Sequence, residues 1–218
     1  MRKYIIVAII MALLVMGSIL KIQSRTETQY KNMKQFVTLT TNKNDTLCNV
    51  QSEQEKINQD ILNVQEITGW GKEISTYFVN EANKNSVLIY EEALPLACIE
   101  TGSTYNFNAI HINTNGSTDI GLFQINTITY NGVIKQFQAE GRQFDTWEGT
   151  NPELNISVGL YWIGFLKNTY GLEGHQLFTS YNKGVAGAKN YASKYGTYES
   201  DYSRKVFAIR NELIKYKK

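Results

Sequence analysis

The sequence contains few of the residues that would place it in several common classes of protein. It has two cysteines, Cys48 and Cys98, and no CxxC pair, which excludes a disulfide scaffold and a cysteine metal site. The net charge of +2 is too small an excess to indicate nucleic acid binding. Proline occurs twice, and there is no internal repeat or low-complexity tract. The 218 residues suit one globular core with extensions.

A bridge between Cys48 and Cys98 remains chemically feasible if the domain lies outside the cytoplasm. Cys98 occupies a core-facing helical position, however, and free cysteines are among the most buried residues. The sequence therefore favours two separate thiols.

The N-terminus carries an uninterrupted apolar run. Residues 4–20 contain no charge and follow Met1-Arg2-Lys3, so the run is near the length that crosses a bilayer and has a basic leader. We interpret residues 1–22 as a signal anchor, single-pass in the cell membrane, with the following domain on the extracytoplasmic, cell wall side. A signal peptide cleaved near Gly17-Ser18 is the competing interpretation.

The segment after the anchor is polar. Residues 23–65 are rich in Thr, Asn, Gln and Lys, which is typical of a tether. Towards its end, helical spacing predicts a short helix with apolar positions at Ile57, Ile61, Val64 and Ile67. Residues 66–218 then form the predicted folded domain.

The domain is predicted to be α+β and predominantly α. One helix runs from Val87 towards Glu100, and Pro95 predicts either a kink in it or its first turn. A second helix is predicted to begin with Asn151 as its N-cap and Pro152 at its first position, and to end at Gly171. Its predicted buried face comprises Leu154, Val158, Tyr161, Trp162, Phe165 and Leu166. A last helix is lined by Tyr202, Val206, Ile209 and Leu213.

A small β element is predicted directly after Glu100. The short β-prone runs 110–112 and 118–120 flank a segment with Asn115-Gly116, and Asn-Gly is a strong hairpin signal. The oxygens of residues 113–119 alternate as in a calcium loop, but the glycine spacing is wrong and a closing Glu is missing. We therefore predict no metal and no cofactor.

One carboxyl group precedes this β element and a second lies within it. Glu100 follows an apolar helical run that can hold it in a poorly solvated cleft, which raises a carboxyl pKa and keeps the proton available. Asp119 lies just past a turn that folds back towards it. One protonated and one ionised carboxyl group are the usual pair in glycoside cleavage. His111 and His175 lack a Ser or Cys nucleophile pattern and are interpreted as structural or surface residues.

Three sequence blocks resemble the lysozyme superfamily. Residues 113–126, Asn-Thr-Asn-Gly-Ser-Thr-Asp-Ile-Gly-Leu-Phe-Gln-Ile-Asn, are similar to the hairpin of C-type lysozymes and of the specialised lytic transglycosylases of bacterial secretion and conjugation systems. Residues 151–156 resemble the Asp-Pro-x-x-Asn-Ile segment of the transglycosylases, and residues 180–184 resemble their Ala-Tyr-Asn-Ala-Gly segment. Thr101 and Phe123 depart from the usual Ser and Met.

The resemblance implies a lysozyme-like fold with the hairpin beside the active-site cleft. It implies Glu100 as the catalytic acid and later base, with Asp119 as the second carboxylate of the lysozyme alternative. The groove residues that it implies are Thr118, Phe123, Gln124, Tyr181 and Asn182. The expected substrate is the peptidoglycan glycan strand, cut at the β-1,4 bond between N-acetylmuramic acid and N-acetylglucosamine.

Two mechanisms and several rival functions remain open at this level. Either the muramic acid's own C6 hydroxyl attacks, as in lytic transglycosylases, or Asp119 supports a retaining hydrolysis by water. The rivals are a non-catalytic glycan-binding component of an envelope machine and a phage lytic enzyme. A secretion or conjugation apparatus is the partner expected of the family, together with the membrane that holds the anchor.

Overall fold

The computed structural model describes residues 31, 34, 50–141 and 150–217. The chain divides into two units after Lys56, and the second, Ile57–Lys218, contains the hydrophobic core. The helices in the described ranges are α1 (residues 50–68), α2 (Lys72–Lys84), α3 (Leu94–Glu100), α4 (Thr127–Ala139), α5 (Pro152–Tyr170), α6 (Gly174–Tyr195) and α7 (Asp201–Leu213). A π-helical turn, Ile89–Ala93, precedes α3, and a 3₁₀ turn, Ile214–Tyr216, follows α7.

Helix α5 is the centre of the core, and its ends are those that the sequence predicts. The Asn151 side chain accepts a hydrogen bond from Leu154 N at 3.0 Å, Pro152 occupies the first turn, and Gly171 ends the helix with a φ of 64°. The helix packs against α2, α4 and α6. Residues 154–160, in its first half, are all buried, which a single apolar stripe does not predict. The residues of the predicted buried face differ in exposure: Leu154, Val158 and Leu166 are buried, whereas Tyr161, Trp162 and Phe165 are half-buried.

A three-stranded antiparallel sheet interrupts the helices after α3. Its strands, in the order β1-β2-β3, are β1 (Ile110–Ile112), β2 (Thr118–Ile120) and β3 (Ile125–Asn126). His111 pairs with Asp119, and Asp119 pairs in turn with Asn126. The predicted hairpin is confirmed, but β3 was not predicted. The loop that connects β1 to β2 has five residues. Gly116 in this loop has a positive φ of 82°, and the Asn115 side chain accepts a hydrogen bond from Ser117 N at 3.0 Å.

The approach to Glu100 shows what Pro95 does. Ala93 N donates to Leu88 O at 3.0 Å, a π-type bond that widens the turn immediately before α3. Pro95 then lies in the first turn of α3, where its missing N–H costs no helical hydrogen bond. Of the two alternatives that the sequence left open, α3 therefore begins at Leu94, directly after the π-helical turn, with Pro95 in its first turn.

The predicted fold class is confirmed in its main part, a predominantly helical α+β domain with a small sheet. No helix in the described ranges is long and apolar enough to cross a membrane. The predicted anchor, residues 1–22, lies outside the described residues, and so does Cys48. Cys98 is a buried free thiol. The domain limits at residues 22 and 65 stay predictions; Ile61 and Val64 of α1 are buried in the core.

Candidate active site

A cleft of about 440 Å³ opens where the end of α3, the sheet, α5 and α6 meet. Its walls are mainly polar. They include Glu100, Asn113, Asp119, Gln124, Asn126, Tyr181 and Asn182. The structure thus brings five of the predicted site residues, from four separate parts of the sequence, to one surface.

Glu100 is the last residue of α3, and Thr101 fixes the end of that helix. The Thr101 hydroxyl donates to Ala97 O at 2.7 Å and accepts from Tyr105 N at 2.9 Å, and the residue is 9% exposed. Thr101 therefore holds the chain as it leaves the helix, and its departure from the usual Ser keeps the hydroxyl. Glu100 is held at a defined point on the cleft wall.

The environment of Glu100 keeps its carboxyl group protonated to an unusually high pH. Burial raises the pKa of Glu100 from 4.5 to about 7, and the Asp119 charge adds to the rise. The Tyr202 hydroxyl opposes this, because it donates a hydrogen bond to Glu100 Oε1 and so favours the anion. A carboxyl group that titrates near neutral pH can both donate a proton and take it back.

Asp119 lines the cleft and is held there by amide side chains. Its Oδ1 accepts from Asn126 Nδ2 at 2.8 Å and its Oδ2 from Asn113 Nδ2 at 3.0 Å. Both amides also donate to the Ser117 hydroxyl, at 2.9 Å and 3.2 Å. Asn126 also caps α4, because its Oδ1 accepts a hydrogen bond from Ile128 N. The carboxylate is thus fixed in orientation at both of its oxygens.

Gln124 braces the turn between β2 and β3. Its Nε2 donates to Ala109 O at 2.9 Å and to Gly121 O at 2.8 Å. Its φ of 43° lies in the left-handed region, which is strained for a residue with a side chain. The amide nitrogen therefore has a structural role, while the residue also lines the cleft. Strain of this kind persists only where the surrounding contacts enforce it.

Phe123 and Thr118 do not line the cleft. Phe123 is 0% exposed, and its ring stacks on Phe78 at a centroid distance of 6.5 Å. The structure places the Phe123 side chain in the core rather than on the cleft wall, because the turn that exposes Gln124 directs the preceding residue inwards. Thr118 pairs with Ile112 in the hairpin and is half-buried, but it is not among the residues that line the cleft.

Tyr181 and Asn182 line the cleft just before the break in α6 at Gly184. Gly184 has φ 71° and ψ 158°, which is not helical and which glycine adopts without steric cost. The Tyr181 hydroxyl donates a hydrogen bond to Phe123 O at 2.6 Å. Burial raises the pKa of Tyr181 well above its ordinary value, and the charges of Glu100 and Asp119 raise it further. Asn182 is exposed at the rim. Tyr181 thus ties α6 to the turn that carries Gln124.

Tyr202 is the site residue that sequence reasoning missed. The sequence assigned it to the apolar face of α7 from its spacing with Val206, which is correct for the ring. Its hydroxyl bonds a carboxyl group 102 positions away, and α3 and α7 pack side by side. A signal for this bond was absent, because helical periodicity reports only which face is buried. Asn113 and Asn126, within the quoted hairpin, were also given no role.

In the part of the chain that the structure describes, no group of three or more His, Cys, Asp or Glu side chains converges to hold a metal ion. The chemistry that the cleft offers with its own residues is proton transfer by Glu100 beside a fixed carboxylate.

Comparison with known proteins identifies the family. Residues 78–203, more than half of the chain, match the model of the transglycosylase SLT domain. The chain therefore belongs to the transglycosylase SLT domain family. None of the curated proteins matches it.

Among solved structures, the fold is similar to that of the 70 kDa soluble lytic transglycosylase from Escherichia coli. The TM-score is 0.51 and the identity 16%, over 65% of this chain and 24% of that one. This chain therefore spans about a quarter of the length of that protein, and the likeness concerns the fold. The predicted resemblance to the SLT-domain family of the lysozyme-like superfamily is confirmed.

Proposed function

We propose that this protein is a lytic transglycosylase that cuts peptidoglycan glycan strands at the β-1,4 bond after N-acetylmuramic acid. The observation that carries the proposal is the Glu100 carboxyl group, whose pKa is raised to about 7 in a polar cleft of a family member. Peptidoglycan as substrate rests on the family. The roles of individual residues rest on the geometry of the cleft.

The reaction needs one proton donor that is later a proton acceptor. Glu100 donates its proton to the glycosidic oxygen as the bond from that oxygen to C1 of the muramic acid breaks. The C6 hydroxyl oxygen of the same sugar then bonds to C1, and its proton passes to the Glu100 carboxylate. Atoms balance without water, and the product ends in a 1,6-anhydro sugar. Tyr202 holds Oε1 of Glu100, which leaves Oε2 for the transferred proton.

A retaining muramidase is the second candidate, and one observation favours it. Asp119 lines the same cleft as Glu100, and two amide donors hold both of its oxygens. A carboxylate fixed in this way is suited to stabilise or capture a glycosyl cation before water completes hydrolysis. The two functions differ in their product, because hydrolysis adds one water to the released fragment.

Product mass together with Asp119→Asn separates these two functions. We expect the purified domain to release anhydro fragments from isolated sacculi, and Asp119→Asn to retain this within roughly 10-fold, because the C6 hydroxyl needs only Glu100. Mass spectrometry of the released fragments is the measurement. Fragments heavier by one water, with activity lost in Asp119→Asn, would instead establish the muramidase. Absence of any fragment would favour a glycan-binding component.

Tyr202→Phe is expected to shift the pH dependence of cleavage. Because the Tyr202 hydroxyl lowers the pKa of Glu100, its removal raises that pKa above about 7. The protonated acid then persists to higher pH, so the alkaline limb of the kcat/KM profile moves to higher pH. The profile is measured by release of soluble fragments from sacculi.

Tyr216→Phe is the matched control for that shift. It removes a hydroxyl that bonds Glu66 at the surface, at 3.4 Å, away from the cleft. We expect the limb to stay in place in Tyr216→Phe, and the same unmoved limb in Tyr202→Phe would contradict the proposed coupling.

The cellular setting is part of the proposal. The apolar run at residues 4–20, after a basic leader, supports a single-pass anchor with the catalytic domain on the wall side. An anchored enzyme cuts only the wall within its reach, which suits a conjugation or secretion apparatus. Extraction of membranes at alkaline pH tests the anchor, since an anchored chain stays in the pellet and a processed chain is released.

A further inference from the structure

A second groove, of about 300 Å³, adjoins the cleft and lies between α4 and α5. We call it the aromatic groove. It is lined by Thr129, Val133 and Gln136 of α4 and by Tyr161, Trp162 and Phe165 of α5. Thr129 and Trp162 line the cleft as well, so the two depressions are continuous.

The α5 wall of this groove is a row of near-parallel aromatic rings. The centroid of Phe165 lies 5.4 Å from that of Trp162 and 6.4 Å from that of Tyr161, with interplanar angles of 17° and 16°. The neighbours Ile163 and Leu166 are 0% exposed, whereas these three rings are half-buried. Helix α5 therefore has an apolar face in the core and a separate aromatic face that is accessible to a ligand.

The groove does not end at the rings. A depression of about 240 Å³ shares Tyr161 and Phe165 with it and extends to Asn168, with Asn85 and Lys84 from the end of α2. Residues 161–168 alone span roughly 10 Å of the α5 axis. A continuous path thus runs from Glu100 past an aromatic wall to a rim of amides and a cation.

We propose that the aromatic groove binds the glycan strand beyond the sugars that lie at Glu100. This inference rests on the proposed function, because the strand is a linear polymer that must leave the cleft. Sugar rings present apolar C–H faces, which flat aromatic side chains cover, and hydroxyls at their edges, which the Gln136 and Asn168 amides bind. The enzyme is therefore selective for long strands over short ones.

Phe165→Leu tests the groove by changing a residue outside the catalytic cleft. Leucine keeps an apolar side chain but removes the flat ring, and Phe165 does not line the cleft. We expect kcat/KM on peptide-free glycan strands of several disaccharide repeats to fall by roughly 10-fold, while kcat/KM on the shortest cleaved fragment stays unchanged. Gln136→Ala, at an exposed position of α4, should reduce the same preference to a smaller extent.

Tyr195→Leu is the matched control. Tyr195 is an aromatic residue 55% exposed at the end of α6, outside the groove, so its replacement should leave the length preference unchanged. Thermal melts of all variants confirm that each is folded. Calorimetric titration in the Glu100→Gln background, with the same strands, measures binding without cleavage.

The outcomes separate this inference from the proposed function. Tighter binding of long strands, lost in Phe165→Leu and kept in Tyr195→Leu, supports the groove. Cleavage with equal kcat/KM for short and long strands overturns the groove while the proposed function stands. Neither binding nor cleavage of any strand by the parent protein overturns both. Concentration-dependent dimers that Phe165→Leu abolishes would make a second copy the occupant, and this also overturns the inference.

Discussion

Glu100→Gln is expected to lower the rate of glycan cleavage by roughly 10²- to 10⁴-fold while the protein remains folded. The magnitude is that of general acid catalysis by a positioned side chain. Glutamine keeps the shape of the side chain and can still accept the Tyr202 hydrogen bond, but it has no proton to give to the glycosidic oxygen. Release of soluble fragments from sacculi is the measurement.

Two controls show that the loss is chemical. Glu212→Gln makes the same change at an exposed position of α7 and should leave cleavage unchanged.

The pH dependence of stability is a second, independent check on Glu100. Because the folded-state pKa of Glu100, about 7, exceeds its ordinary 4.5, folding binds a proton, and stability is lost as the pH rises between these values. Glutamine does not ionise, so Glu100→Gln should be the more stable protein at pH 8. Full cleavage by this variant would contradict the assignment of the acid.

Gly159→Ala is expected to destabilise the domain by about 1–3 kcal/mol. A Cβ at Gly159 would lie 2.1 Å from Cδ2 and 2.9 Å from Cβ of Phe123, so the whole side chain would have to move. Phe123 is fully buried, and its backbone accepts the Tyr181 hydroxyl and donates to the Asn155 amide at 3.3 Å. The strain therefore spreads to the turn that carries Gln124. Urea denaturation followed by circular dichroism measures the free energy of unfolding.

Gly132→Ala is the matched control in another helix. Gly132 lies in α4, and a Cβ there has no atom within 4 Å among the residues that the structure describes. Alanine loses less backbone entropy on folding than glycine, so this variant should gain roughly 0.5–1 kcal/mol. A loss of stability in both variants would mean that the contact with Phe123 is not the cause.

Local sequence signals predicted the elements whose limits are set by neighbouring residues. The hairpin strands around Asn115-Gly116 and the two ends of α5 follow from turn, cap and proline chemistry, which acts over a few positions. Glu100 was predicted to be poorly solvated because an apolar helical run precedes it, and burial is the main cause of its raised pKa. These features require no knowledge of the tertiary structure.

The remaining features depend on contacts between distant parts of the chain. The bond from Tyr202 to Glu100 joins α7 to α3, and a helical pattern contains no information about such a partner. The same applies to Phe123, whose burial depends on the absence of a side chain at Gly159. The aromatic face of α5 was assigned to the core because hydrophobicity alone does not distinguish a ring that packs inside from one that lines a groove.

Asn126 links the catalytic cleft to the aromatic groove. One amide group restrains the Asp119 carboxylate through its nitrogen and terminates α4 through its oxygen. Helix α4 is also one wall of the aromatic groove. Any replacement of Asn126 therefore perturbs acid–base chemistry and saccharide docking simultaneously, and a kinetic defect in such a mutant is not a measure of either process by itself.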